Sequence, residues 1–309
     1  MADINRTAIA LPTDVSQEIL QKTQDESAVM RLARQIALPG RGLTIPVILG
    51  DPTAEWVAET GVKPVSNPSV SKKVMQAYKL AVIETFSEEF VRDAKALYDS
   101  LIARLPLALA AIFDKTVLGA VNAPGENFDT FAGCTAQSLV TGAGHTAYDG
   151  LVAADTDIGV HGGVLSGFAL GAQGRGLLLA AKDSTGRPLF VNSAAQGAIP
   201  MILGVPAYQN KGLYKAGTAA SGSGSSAVAG VPDIVGVAGD WTQAMYGTVE
   251  GIKIDLNTKG VVTVGSGQDA TTVNLWQQNM VAIRAEIELG FRADTSCFNL
   301  LTGTVPSGT

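Results

Sequence analysis

The feature that most constrains the fold lies near the end of the 309-residue chain, in NMVAIRAEIELGF, residues 279–291. Val281, Ile283, Ala285, Ile287, Leu289 and Phe291 alternate there with Arg284, Glu286 and Glu288. Successive side chains of a strand point to opposite faces, so this alternation predicts one long strand with one buried face. A face that apolar must lie against a second layer.

A related pattern stands early in the chain. LTIPVIL, residues 43–49, and AEWVAE, residues 54–59, read as short strands, and KKVMQAYKLAVI, residues 72–83, places Val74, Tyr78, Leu80 and Val82 at even positions. Together they predict a long hairpin with its turn region between Thr60 and Ser71, shaped by several Pro and Gly residues. A two-stranded ribbon is marginal in water because one face has no partner. This one therefore needs a neighbour to lie on.

Between these segments, Thr85-Phe86-Ser87-Glu88 has the Thr-x-x-Glu form of a capping box. Phe90, Ala94, Leu97, Leu101, Leu105, Leu109, Ile112 and Phe113 follow at spacings of three and four, predicting a helix that ends near Gly119 and is kinked by Pro106. At about 1.5 Å per residue it would span about 45 Å. From Ala120 to about Thr272, short apolar runs alternate with Gly-rich turns (GGVLSGFAL, RGLLLAAKD, GRPLF, ILGVP, DIVGVAGD, AMYGTVEG, IKIDL, GVVTV), the pattern of a compact α+β unit with short strands. SGSGSSAVAG, residues 221–230, reads as a mobile surface loop. Residues 1–42, in which Ile19, Met30, Leu32 and Ile36 form no single stripe, read as an extended arm with at most one short helix, ended by Pro39-Gly40.

Composition excludes several functions. The chain is 46% hydrophobic and 16% charged with 35 Gly, so much of its apolar surface is expected to face other chains. A net charge of -6 and the absence of clustered Lys and Arg argue against a nucleic-acid-binding surface, because neutralising phosphates requires such clusters. Cys134 and Cys297 suit buried thiols in a reducing compartment, with neither disulfide nor metal-ligand spacing. The amino terminus lacks the pattern of a secretory signal, and the uncharged run from Pro188 to Asn210 is too interrupted by Pro and Gly to span a membrane. These readings predict a cytoplasmic, non-membrane protein.

Catalytic constellations are thin. His145 stands four residues before Asp149 and His161 lies in IGVHGGV, but both read as ordinary loop histidines. No nucleophile-elbow, zincin or Walker motif occurs. Gly167, Gly171, Gly174 and Gly176 around Arg175 read as turn and helix-entry residues rather than a phosphate loop. Asp155 and Asp157 read as solvated loop carboxylates rather than a cation site. No catalytic residue, metal or cofactor is expected.

The order of parts (arm, long hairpin, long helix, Gly-rich α+β unit, long terminal strand) resembles the major capsid proteins of tailed bacteriophages, the Hong Kong 97 type fold. The segments that carry the likeness are IPVILGDPTAEWVAETGVKPVSNPSVSKKVMQAYKLAVIETFSEEFVRDA, AAKDSTGRPLF, ILGVPAY, GDWTQAMYGTVEGIKI and NMVAIRAEIELGFRADTSCFNLL. The resemblance implies an N-terminal arm over residues 1–42 and an E-loop hairpin over 43–84. It further implies a peripheral (P) domain with a spine helix over 85–124, an axial (A) domain over 125–275, and the P-domain's terminal strand and tail over 276–309.

It implies that the chain self-assembles as hexamers and pentamers into an icosahedral shell, built in the host cytoplasm, around double-stranded DNA held without sequence-specific contacts. A separate scaffolding protein, a portal and cement proteins are the implied partners. Trp56, Lys72 and Tyr78 are the inter-subunit contact candidates. Lys63, Asn279 and Glu286 match, by position, an inter-subunit isopeptide cross-link in which a Lys amine attacks an Asn carboxamide beside a Glu base. That chemistry needs a desolvated amine. On an extended strand, Asn279 and Glu286 would stand about 23 Å apart, so one chain cannot supply both to a single site. The competing reading makes Lys63 a salt-bridge or solvated residue and pairs Glu286 with a neighbouring Arg. An encapsulin-type nanocompartment shell and a glycine-rich α+β enzyme are the alternative functions.

Overall fold

The computed structural model describes residues 13–40, 42–49, 56–57, 63, 65, 69–89, 94–142, 145–182, 185–189, 201–219, 221, 229–265 and 270–304. Helices α1 (Thr13–Glu26) and α2 (Ala28–Leu32) lead into β1 (Arg34–Ala37). Strands β2 (Leu43–Leu49) and β3 (Ser69–Met75) form a two-stranded antiparallel ribbon, followed by β4 (Tyr78–Ser87) and the long helix α3 (Ala94–Leu118). Next come β5 (Thr135–Ser138), α4 (Ala147–Val160), β6 (Gly167–Leu170), α5 (Ala172–Ala180), β7 (Met201–Ile202), β8 (Val205–Gln209) and β9 (Asp233–Gly239). The chain closes with β10 (Ala244–Thr248), β11 (Lys253–Asn257), β12 (Val261–Val264), β13 (Thr271–Asn274), β14 (Met280–Ala293) and β15 (Phe298–Gly303).

The first sheet is organised by β14, the alternating segment read from the sequence. β4 pairs antiparallel along Met280–Leu289, while β11 and then β10 pair antiparallel on the other edge, with β1 parallel outside β10. Val281, Ile283, Ala285, Ile287, Leu289 and Phe291 are all buried, as the alternation requires. Beneath them lie Leu105, Leu109, Phe113 and Val117 of α3, whose spacing of four makes one helix face. Phe113, Phe128, Phe131, Phe291, Phe298 and Trp241 meet in this core with ring centroids 4.5–6.2 Å apart, mostly edge-to-face.

The second sheet has the order β5-β15-β9-β6-β8-β7. One face, through Ala169, Val237 and Leu300, joins the core just described. The other, through Phe168, Leu170, Val235 and Leu301, packs against Ala147, Leu151, Ala154 and Ile158 of α4 and Leu178 of α5. The two sheets thus share apolar layers around α3.

Several sequence expectations are corrected. The helix does not start at a capping box on Thr85, because Thr85 lies in β4 opposite Ala282, where the ladder of β14 supplies its backbone partners. Residues 90–93, with Phe90, lie outside the described residues; α3 itself covers 25 residues, about 37 Å at the standard rise. It does end at Gly119, whose φ of 80° and close approach to Ala132 exclude a side chain there. The segment read as an extended arm holds a 14-residue helix, α1, packed on α3 with Ile19 fully buried, and Met30 of α2 is buried in the same core.

The return strand of the hairpin is two strands, β3 and β4, interrupted at Gln76-Ala77, and Val74 is exposed while Leu80 and Val82 pack on the core. RGLLLAAKD falls largely in helix α5, capped by Gly171, rather than in a strand. Asp155 and Asp157 stand in α4, not in a loop; α4 is the helix whose small buried residues, Ala147, Gly150 and Ala154, hide its periodicity. Cys134 is half-buried and Cys297 buried, both as free thiols. The glycine-serine segment falls mostly on residues 222–228, outside the described residues.

Candidate functional site

The hairpin β2–β3 stands outside both large sheets, so its root decides what it can do. Leu43 pairs with Met75 at the root, and the pairing runs without a break to Leu49 and Ser69. Met75 is fully buried although it stands in a two-stranded ribbon. Its side chain and that of Leu38 lie over Gly247 and Gly290, a directly opposed pair in β10 and β14. A Cβ on Gly290 would come within 2.7 Å of the Gln76 carbonyl oxygen, so only glycine lets the ribbon cross the sheet this closely.

Polar groups fasten the same root. Arg292, buried at the end of β14, donates from Nε to the Val74 carbonyl at 2.7 Å, from Nη1 to Asp129 Oδ1 at 2.7 Å and from Nη2 to Asn127 Oδ1 at 2.8 Å. Lys73 reaches the Ala293 carbonyl at 2.9 Å and lies 3.8 Å from Asp129, whose second oxygen accepts from the Ala293 amide at 3.1 Å. The planar guanidinium presents donors in a fixed fork, so one side chain sets the ribbon, the 127–129 turn and the sheet in one orientation. Sequence reading missed this cluster; its only local trace is a single Arg on the polar side of an otherwise apolar strand end.

The residues singled out from sequence fall in different places. Trp56 and Lys63, in the connection between β2 and β3, are exposed, as are Lys72 on β3 and, beyond it, Val65. Tyr78 is engaged within the chain: its hydroxyl accepts from the Asn127 amide at 3.1 Å and its ring meets Phe128 edge-on at 6.2 Å. Asn279 takes a left-handed turn, φ 49°, and its carbonyl accepts from the Glu88 amide at 2.8 Å. Glu286 stands 3.3 Å from Arg284 Nε and 3.6 Å from Lys79 Nζ. Asn279 stands just before β14 and Glu286 seven positions further along the extended chain, so the chain does not bring those two together.

The described residues offer no catalytic arrangement in the places the sequence raised. Asp149 caps α4: it accepts from the Thr146 hydroxyl and amide, which hold its carboxyl below the ordinary range, and His145 points its Nδ1 at the Val140 carbonyl instead. His161 ends the same helix with Nδ1 2.8 Å from the Asp157 carbonyl. Burial pushes the Cys134 thiol up to about 12 and raises that of Cys297, the reverse of nucleophile activation. No group of three or more metal-type side chains gathers among the described residues. A groove of about 410 Å³ lined by Gly217, Thr218, Val231, Pro232, Asp233 and Gly303 carries no acid–base pair. No described helix is long and apolar enough to cross a membrane.

Comparison with known proteins matches the geometry. Residues 7–294 fit the model of the phage capsid family. The chain is 27% identical over 310 residues to the probable major capsid protein gp17 of Mycobacterium phage D29, covering 96% of this chain and 91% of the relative. It is 29% identical over 304 residues to the protein of the same description from Mycobacterium phage L5, covering 94% and 89%. Among solved structures, one from Gordonia phage Cozz superposes with a TM-score of 0.64 at 21% identity, covering 91% of this chain and 87% of that one. Another, a capsid of an empty GTA particle, gives 0.59 at 14% identity, covering 91% and 90%. The structural likenesses establish the shared mixed α+β fold.

Proposed function

The chain belongs to the phage capsid family, and from that premise we propose that it is the major capsid protein of a tailed phage, assembling into the closed shell of the virion. The single observation that carries the reading is the family match over nearly the whole chain, to which the structure adds a physical rationale. A two-stranded ribbon rooted by Arg292 and Met75, with exposed Trp56, Val65 and Lys72 beyond the root, suits contact with another subunit rather than with its own core.

In Hong Kong 97 terms, β2–β3 is the E-loop, α3 the spine of the P-domain with the β14 sheet, and the six-stranded sheet with α4 and α5 the core of the A-domain. The domain limits 1–42, 43–84, 85–124, 125–275 and 276–309 fit this reading, with two adjustments supported by packing. The hairpin proper stops at Met75, since β4 belongs to the β14 sheet, and the arm from Thr13 onward packs on α3. Hexamers and pentamers tile the shell around double-stranded DNA, with a separate scaffolding protein, a portal and cement proteins as partners. The acidic net charge supports enclosure of DNA without sequence-specific contacts. The role is structural, not enzymatic.

Electron microscopy of the purified assembly tests the proposal. Closed shells with hexameric and pentameric capsomers are expected, with DNA and a portal in particles from infected cells. A discrete oligomer of a few subunits would sink it in favour of the enzyme reading, and DNA-free shells loaded with a protein cargo would favour the nanocompartment.

A further inference from the structure

We propose that Asp114 and the break between α1 and α2 form a proton-operated latch that fastens these two helices to α3, shut when the carboxyl is neutral and loosened when it ionises. The helices part at Ser27, whose hydroxyl donates to Asp114 Oδ1 at 2.5 Å, while the Ala28 amide donates to Oδ2 at 3.0 Å. Ser27 also caps α2, its oxygen accepting from the Met30 amide at 3.0 Å. Around this polar contact the helices are held by apolar burial of Ile19, Val29 and Met30. Asn210 braces the same break from the end of β8, donating to the Glu26 carbonyl. The chain leaves α2 for β1 at Ala33, so the two helices form one segment that can lift from α3 while β1 stays paired with β10.

Charge makes this contact conditional. Asp114 and Ser27 are fully buried, and an ionised carboxylate in such a place is costly unless a cation pairs with it. On the elements packed around it, Glu18, Lys22, Asp25 and Glu26 of α1, Arg31 of α2 and Lys211 beyond β8 are all exposed. Lys115, next to Asp114 on α3, is half-buried. Among the described residues none of these forms an ion pair with Asp114. Burial therefore raises its pKa to about 7, against the lowering effect of hydrogen bonds from Ser27, Ala28 and Val29. A neutral carboxyl keeps both contacts, since its carbonyl oxygen accepts from Ala28 and its hydroxyl pairs with the Ser27 oxygen. Once the helices lift, Asp114 meets water and ionises near 3.8. Docking thus takes up a proton between that value and about 7, and each unit of rising pH in the window multiplies the open fraction about ten-fold. Above the window both states are ionised and the dependence ends.

The latch is independent of the shell reading, and hydrogen exchange on the full-length unassembled chain tests it, with rates corrected for the intrinsic pH dependence of amide exchange. Between about pH 5 and about pH 7 the amides of α1 and α2 are expected to lose roughly ten-fold or more in protection, with no further loss at higher pH and with protection below that of β14 throughout. Asp114→Asn removes the titrating group, so its α1 and α2 protection should not vary with pH. Ser27→Ala withdraws a donor that favours the charged carboxylate, so there the dependence should persist and its upper limit move to higher pH. A wild type without the dependence, a dependence surviving in Asp114→Asn, or an upper limit unmoved or lowered in Ser27→Ala would overturn the latch. Equal protection of α1, α2 and β14 at every pH would also overturn it, because the helices would then open only with the whole fold. Should Asp114→Asn not fold, the wild-type and Ser27→Ala profiles decide alone.

Discussion

Arg292 and Asp129 meet through Nη1 and Oδ1 at 2.7 Å, and that pair joins the end of the longest strand to the turn beneath the hairpin root. Arg292 also binds Val74 and Asn127, so its removal leaves a partly buried carbonyl and a largely covered carboxylate short of partners. Arg292→Ala is expected to cost about 2–4 kcal/mol, and Arg292→Lys nearly as much, because a single ammonium cannot reach three acceptors at once. Denaturant unfolding of the unassembled protein checks the magnitude. Hydrogen exchange should show protection lost first in β3, and a loss spread evenly over the chain would contradict a local clamp.

Gly290→Ala is expected to destabilise by about 1–3 kcal/mol, since the added methyl would meet the Gln76 carbonyl at 2.7 Å and the buried Met75 side chain at 3.0 Å. Gly251→Ala, where nothing lies within 4 Å, serves as the matched control and should change stability by less than about 0.5 kcal/mol. Equal effects at the two sites would remove the close-crossing argument.

Asp114 of α3 gives a pH dependence of unusual sign. Its carboxylate is fully buried, accepting from the Ser27 hydroxyl and from the Ala28 amide at 3.0 Å, and burial pushes its pKa up to about 7 despite those hydrogen bonds. The unfolded chain ionises near 3.8, so between there and about 7 the folded state holds a proton that the unfolded state has lost. This group's contribution therefore becomes less favourable as pH rises through that window, by a few kcal/mol in total, and is flat above it. Asp149 and Glu250, whose carboxyls are held low, act in the opposite direction and only under more acidic conditions. Asp114→Asn keeps an acceptor for the Ala28 amide and turns an amide donor toward the Ser27 oxygen in place of the acceptor that the Ser27 hydroxyl now uses. Relative to wild type it should gain stability between pH 5 and pH 8; a wild-type-minus-variant difference that does not vary over that range would show that Asp114 is not the titrating group.

Glu286 tests the cross-linking chemistry. Its contacts with Arg284 and Lys79 support an ion-pair role, so mature shells are expected to run as a single band at monomer mass on a denaturing gel. A ladder lost in both Lys63→Arg and Glu286→Gln would instead establish the isopeptide bond. The ion pairs themselves are partly solvated, so Glu286→Gln should shift stability by about 1 kcal/mol or less.

What the sequence determined by itself was whatever depends on near neighbours. The two-residue alternation of residues 279–291 fixes which face of β14 is buried, LTIPVIL matches β2 residue for residue, and the spacing of Leu105, Leu109 and Phe113 defines the inner face of α3. Each is a periodicity of one segment, carried by the local geometry of strand or helix. Thr85 shows where that logic ends: the capping pattern was present, but ten consecutive pairings with β14 outweigh two capping bonds. The hairpin root lies further beyond local reading. Arg292 stands 163 residues from Asp129 and 218 from Val74, and Gly247 faces Gly290 across two strands. No pattern within a window of the chain encodes such meetings, because they exist only once the sheet has placed β14 beneath the ribbon. Only the tertiary structure, by burying Met75 over Gly247 and Gly290 and Arg292 beside the ribbon's carbonyl, decided that this hairpin is held at its root.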